Sequence, residues 1–149
     1  MSRKNDLFYV ASLIEYIGRA TSNSRDDVVK CIGIDGMHRL FENACVNHCL
    51  SFKQVSDETI EDHGISNGTS PMVTTTGFKI PSHTEIGRVY ARLVEDLESD
   101  PECYPERLYE VFRSQISDAI SDFSTSFYFA PRGEIKYYYS AFNVGRFNH

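Results

Sequence analysis

The chain has 149 residues, of which 41% are hydrophobic, 13% aromatic and 24% charged, with a net charge of −6. Ten Phe and nine Tyr exclude a disordered chain, nine Gly and five Pro exclude a collagen or linker composition, and no apolar run approaches the ~18 residues of a membrane span. The charge is evenly spread, with seven Lys/Arg against ten Asp/Glu in residues 1–75 and eight against eleven in residues 76–149, so neither half carries a field that attracts nucleic acid.

Arg3 and Lys4 before the apolar run 7–14 imitate a secretory signal. The run includes Ser12, stops at Glu15 and has no A-x-A site behind it. It reads as a helix of the mature protein, which makes the cytoplasm the expected compartment, and the four cysteines (Cys31, Cys45, Cys49, Cys103) read as free thiols. Asn5 or Asp6 is the expected cap of a first helix over 7–21. Leu7, Val10, Ala11, Ile14, Ile17 and Gly18 form its stripe, and Phe8 and Leu13 widen it enough for a central helix.

Ser24 announces the next helix, which carries Val28, Val29 and Ile32 and stops at Gly33. Asp35 then caps a third helix with Met37, Leu40, Phe41 and Ala44 inward. Ser51 opens a fourth with Val55 and Ile60, closed by Gly64. Residues 64–81 read as a long loop, with a short extended piece expected at 72–75. Ser82 to Glu85 is a capping box for a helix whose apolar face holds Ile86, Val89, Tyr90, Leu93, Val94 and Leu97. Behind Pro105, the residues Leu108, Val111, Phe112, Ile116, Ala119, Ile120 and Phe123 trace one long helix over 105–123. It is expected to pair antiparallel with 82–99. The aromatic tail 124–149 suits a short helix or a strand, and the helix is favoured, with Ile135, Tyr138 and Phe142 assigned to packing.

Chemistry-bearing patterns are sparse. Cys45, His48 and Cys49 could share a soft metal on one helical turn, but a second ligand pair would have to come from His63, His83 or Cys103. Small core cysteines beside Ala44 are the simpler reading, and no metal or cofactor is expected. The same residues make a poor Cys–His nucleophile, since neighbours on one helix rarely orient each other for proton transfer. The carboxylate pairs Asp26-Asp27, Asp57-Glu58, Glu61-Asp62 and Glu95-Asp96 fall on polar faces, so no catalytic residues are assigned. The segment from Val28 to Leu40 mimics a helix-turn-helix, but Asp26, Asp27, Asp35 and Glu42 would face phosphates against His38 and Arg39. The best binding feature is the tail, where Arg132, Tyr137, Arg146 and Phe147 are assigned to an exposed partner-binding patch.

Leu7-Phe8-Tyr9 through Ile14-Glu15-Tyr16, followed by Ser24 to Val29 and His48, resembles a family of small uncharacterised bacterial proteins encoded beside ADP-ribosyltransferase-like toxins. The resemblance covers residues 5–63 and implies an antitoxin or accessory partner, with no functional residue carried over. The expectation is therefore an all-α single domain of six or seven helices. A four-helix N-terminal layer over 5–63 would pack against a C-terminal hairpin and aromatic tail over 82–149. Its expected role is to bind a partner protein, a toxin in the family reading, without enzymatic activity. The alternatives are a small enzyme or nucleotide-handling protein using the 64–81 loop with its Thr74 to Gly77 stretch, and an acidic transcriptional regulator.

Overall fold

The computed structural model describes the backbone of residues 2–70 and 80–147 and the side chains of that set through residue 142. Among the described residues there are eight α-helices and no β-strand. The fold is all-α, as the helical periodicity requires, and no helix among the described residues is long and apolar enough to cross a membrane.

Helix α1 (Arg3–Thr21) is the axis of the fold. Leu7, Val10, Ala11, Leu13, Ile14 and Ile17 expose no surface, so its wide apolar face is covered on several sides. It touches α2 (Arg25–Glu42), α4 (Phe52–His63), α5 (His83–Leu97) and α6 (Tyr104–Arg113). Its cap is Ser2, whose Oγ accepts the Asn5 N–H at 3.2 Å, and not Asn5 or Asp6. The earlier start places Asp6 inside the first turn, where it is buried.

Helix α2 begins as expected on Ser24, whose Oγ accepts the Asp27 N–H. The two helices expected on either side of Gly33 are its two halves. Gly33 sits at φ 74° and ψ 167° and breaks the regular backbone without separating the halves. A left-handed φ of this kind is readily adopted only by glycine. The kink lets Val28, Val29 and Ile32 before it, and Met37, Leu40 and Phe41 after it, all reach the core. A four-residue helix, α3 (Ala44–Asn47), follows, and then α4, opened by Ser51 and closed by Gly64 at φ 61°.

Helix α5 starts on Ser82, which accepts the Glu85 N–H at 3.0 Å, and runs antiparallel to α1: Tyr16 lies by His83 and Phe8 by Arg88. The two backbones approach closely at Gly87, where a Cβ would come within 2.7 Å of the Ser12 Cα. A 3₁₀ turn at Pro101–Cys103 leads into α6, which packs on both α5 and α2. The long helix expected over 105–123 is broken. Ser114 is extended (φ −89°, ψ 165°) and its hydroxyl donates to the Val111 carbonyl at 2.6 Å, so α6 ends there and α7 (Gln115–Ile120) restarts. Leu108, Val111, Phe112, Ile116 and Ile120 are all fully buried across the break, which explains why the apolar period alone concealed it.

The tail is helical in α8 (Arg132–Phe147), after a 3₁₀ turn at Phe127–Phe129. Its inward pair is Ile135 and Tyr139, one turn apart. Tyr138 and Phe142, expected to pack, are 36% and 40% exposed. The helix is rotated by about one residue step, roughly 100°, from the expected face.

Candidate functional site

Rotating α8 onto Ile135 and Tyr139 leaves its Tyr137, Tyr138 and Phe142 rings exposed. Tyr137 is 68% exposed and forms an aromatic surface with Tyr138 and Phe142, and Phe129, in the turn before α8, is 78% exposed. Adjacent rings touch in sequence. Phe127 meets Tyr138 at 5.6 Å between centroids, Tyr138 meets Tyr137 at 5.6 Å, and Tyr138 stacks on Phe142 at 6.1 Å. In the turn before α8 the Tyr128 and Phe129 rings are 5.4 Å apart. Such rings carry large apolar area on few rotatable bonds, so they lose little conformational entropy when covered.

Tyr137 is exposed as assigned from the sequence. Arg132 is also exposed, but it is ion-paired: its guanidinium donates to Asp96 at 2.8 Å and 3.2 Å and lies 3.5 Å from Glu95. Those bonds hold its positive charge and fasten the start of α8 to α5. The side chains of Arg146 and Phe147 lie outside the described residues, although the backbone of both belongs to α8. Tyr138 and Phe142 on the same surface, and the exposed Phe129 in the preceding turn, were not assigned to it from the sequence. The apolar residues just before Pro131 were the available signal for Phe129.

A second feature was not foreseen. Glu15 exposes no surface, yet it is charged in composition and sits among apolar neighbours on α1. Two guanidiniums answer it. Arg25 approaches with two nitrogens, one of them at 2.9 Å, and Arg19 donates at 2.7 Å. Ser121 donates to the same carboxylate at 3.2 Å and lies 2.7 Å from the Tyr90 hydroxyl, which is also 3.0 Å from the Ser117 carbonyl. Burial opposes the charge on Arg25, but the hydrogen bond and charge of Glu15 outweigh it and hold the guanidinium protonated. Burial likewise pushes the Tyr90 phenol well above its ordinary range, and the nearby Glu15 charge adds to this. Arg19 covers the Phe123 ring at 5.0 Å, and its Nη2 is buried with no hydrogen-bond partner among the described residues. The cluster ties α1, α2, α5 and the end of α7 together at one point.

The remaining sequence candidates are dispersed. Cys45 and Cys49 are exposed and do not pack beside Ala44, because the short α3 turns only Ala44 inward. His48 lies edge-on to Tyr9, His63 rests against Gly36, and His83 meets the stacked Tyr16 and Phe52 rings edge-on. Among the described residues no three His, Cys, Asp or Glu side chains are grouped to hold a metal ion. His38 pairs with Glu106 of α6, so that part of α2 faces the protein. Residues 64–70 of the long loop lie along the α1–α2 turn, with Gly68 N–H donating to Thr21 and Ser70 N–H to Ser22. The extended piece expected at 72–75 and the stretch from Thr74 to Gly77 lie outside the described residues.

Compared with known proteins, this all-α chain matches no family model, no curated protein and no solved structure.

Proposed function

We propose that this chain is a non-enzymatic protein-binding module whose partner covers the aromatic surface of α8 and the Phe127–Phe129 turn. The observation that carries this reading is the exposure of four large aromatic side chains: Tyr137, Tyr138 and Phe142, in ring contact along α8, and Phe129 in the turn whose Phe127 ring meets Tyr138. Clustered exposed aromatics of this kind are characteristic of interaction sites, and Tyr is among the residues most enriched where binding energy concentrates. The resemblance of residues 5–63 to proteins encoded beside ADP-ribosyltransferase-like toxins makes such a toxin the first partner to try, in a bacterial cytoplasm.

The test compares the wild-type chain with Phe129→Ala and Tyr137→Ala in pull-downs from the native host, followed by calorimetry with the recovered partner. Wild type should capture a stoichiometric partner. Each substitution should weaken capture by more than about 1 kcal/mol while leaving the circular dichroism and melting temperature unchanged. A partner bound equally well by both variants would place the interface elsewhere.

A further inference from the structure

Five of the described Lys and Arg side chains have no ion-pair partner among the described residues: Lys4, Arg39, Arg88, Arg92 and Lys136. Three of them, Lys4, Arg88 and Arg92, line a single groove of about 340 Å³ between the start of α1 and the middle of α5. This is a local excess of positive charge in a chain whose net charge is −6. Arg88 and Arg92 are four residues apart on α5, so their like charges repel across one turn, which disfavours the helix slightly in the absence of a counter-charge. Glu85, one turn before Arg88, does not neutralise it; the guanidinium instead lies over the Phe8 ring, 4.7 Å from its centroid.

We propose that this groove binds an acidic segment of a partner protein in extended form. Its walls explain the choice of ligand. Lys4 stands on one helix and Arg88 and Arg92, one turn apart, on the other, so the groove offers cations from both walls to a chain of carboxylates running between the helices. Phe8 and Ala91 also line the trough and offer apolar contact between the charges, which suits carboxylates alternating with apolar side chains. Glu95, level with Lys4 in the antiparallel register, and Arg132, already neutralised by Asp96 and Glu95, complete the lining. The net negative charge elsewhere is screened beyond about 8 Å at physiological salt, so the local excess decides the encounter. This inference rests on the cation distribution and stands whether or not the aromatic surface of α8 binds anything.

The test uses the full chain and a short fluorescein-labelled peptide of alternating Glu, Asp and Leu, read by fluorescence anisotropy. Arg88→Glu/Arg92→Glu should weaken binding by about tenfold or more, and Arg88→Gln/Arg92→Gln should weaken it by an intermediate factor. Arg39→Glu, an unpaired cation outside the groove, should change binding by less than about twofold, and raising the salt should weaken wild type far more than the double variants. Tyr137→Ala should bind the peptide as wild type does, which separates this site from the α8 surface. An equal loss in Arg39→Glu, or unchanged binding in both double variants, would overturn the proposal. So would saturable binding of a labelled single-stranded RNA that the acidic peptide cannot displace.

Discussion

Glu15 and Arg25, ten residues apart in sequence, face each other across the α1–α2 turn with the carboxylate fully buried and the guanidinium nearly so. Removing one partner of a buried pair leaves the other charge without compensation, which is why such pairs are costly to break even when they add little net stability. Here a single carboxylate answers two guanidiniums. Glu15→Gln should therefore lower unfolding stability by about 3–5 kcal/mol in urea titrations at neutral pH. An unchanged midpoint would mean that Arg19 and Arg25 relax into solvent.

The contact between α1 and α5 depends on a missing side chain. A Cβ at Gly87 would meet backbone, 2.7 Å from the Ser12 Cα, and neither helix can yield there without moving its neighbours. Gly87→Ala should destabilise by roughly 1–3 kcal/mol. Gly133→Ala is the control: nothing lies within 4 Å of its Cβ position in the first turn of α8. It should be neutral or stabilising by up to about 1 kcal/mol, because alanine restricts the unfolded chain. Thermal melts of the two variants should move in opposite directions or diverge by several degrees.

In α8 the inward pair is Ile135 and Tyr139, and Tyr137 points to water. Ile135→Ala should cost about 2–5 kcal/mol, and Tyr137→Ala should stay within about 0.5 kcal/mol. If Tyr137→Ala unfolded the chain and Ile135→Ala left it intact, the helix would be seated on the opposite face.

His83 supplies a pH dependence. Burial lowers its pKa from the ordinary 6.5, and the Arg19 charge lowers it further, with Glu15 opposing. Between the unfolded and folded values the unfolded chain binds more protons, so stability rises with pH across that window. The neutral imidazole's contribution is present above about pH 6.5 and is lost as the pH falls through the folded value. His83→Phe retains a ring against the stacked Tyr16 and Phe52 and removes the proton site. Its stability should vary less than wild type's between about pH 7 and pH 5, followed by denaturant midpoints at each pH. Parallel curves for the two proteins would show that another group is responsible.

The local part of this fold was legible because its signals act within one helical turn. A serine accepting an N–H three residues ahead starts a helix wherever it occurs, and Ser24, Ser51 and Ser82 each do so. Gly33 and Gly64 mark left-handed backbone for the same local reason. The apolar period on α1 announced a helix covered on several sides, and the burial of Leu7, Leu13 and Ile17 agrees. What the period could not reveal is any choice among positions that satisfy it equally. Ser114 interrupts a stripe whose residues stay buried on both sides, and the seating of α8 on Tyr139 instead of Tyr138 depends on the surface it meets. Burial of Glu15 was invisible as well, because a carboxylate enters a core only when distant cations come with it. Arg25 and Ser121 reach it from other helices. The basic groove arises in the same way. Lys4 and Arg88 are remote in sequence and share one trough only because Gly87 lets α5 lie close along α1, and a charge pattern becomes a surface only after the chain has packed.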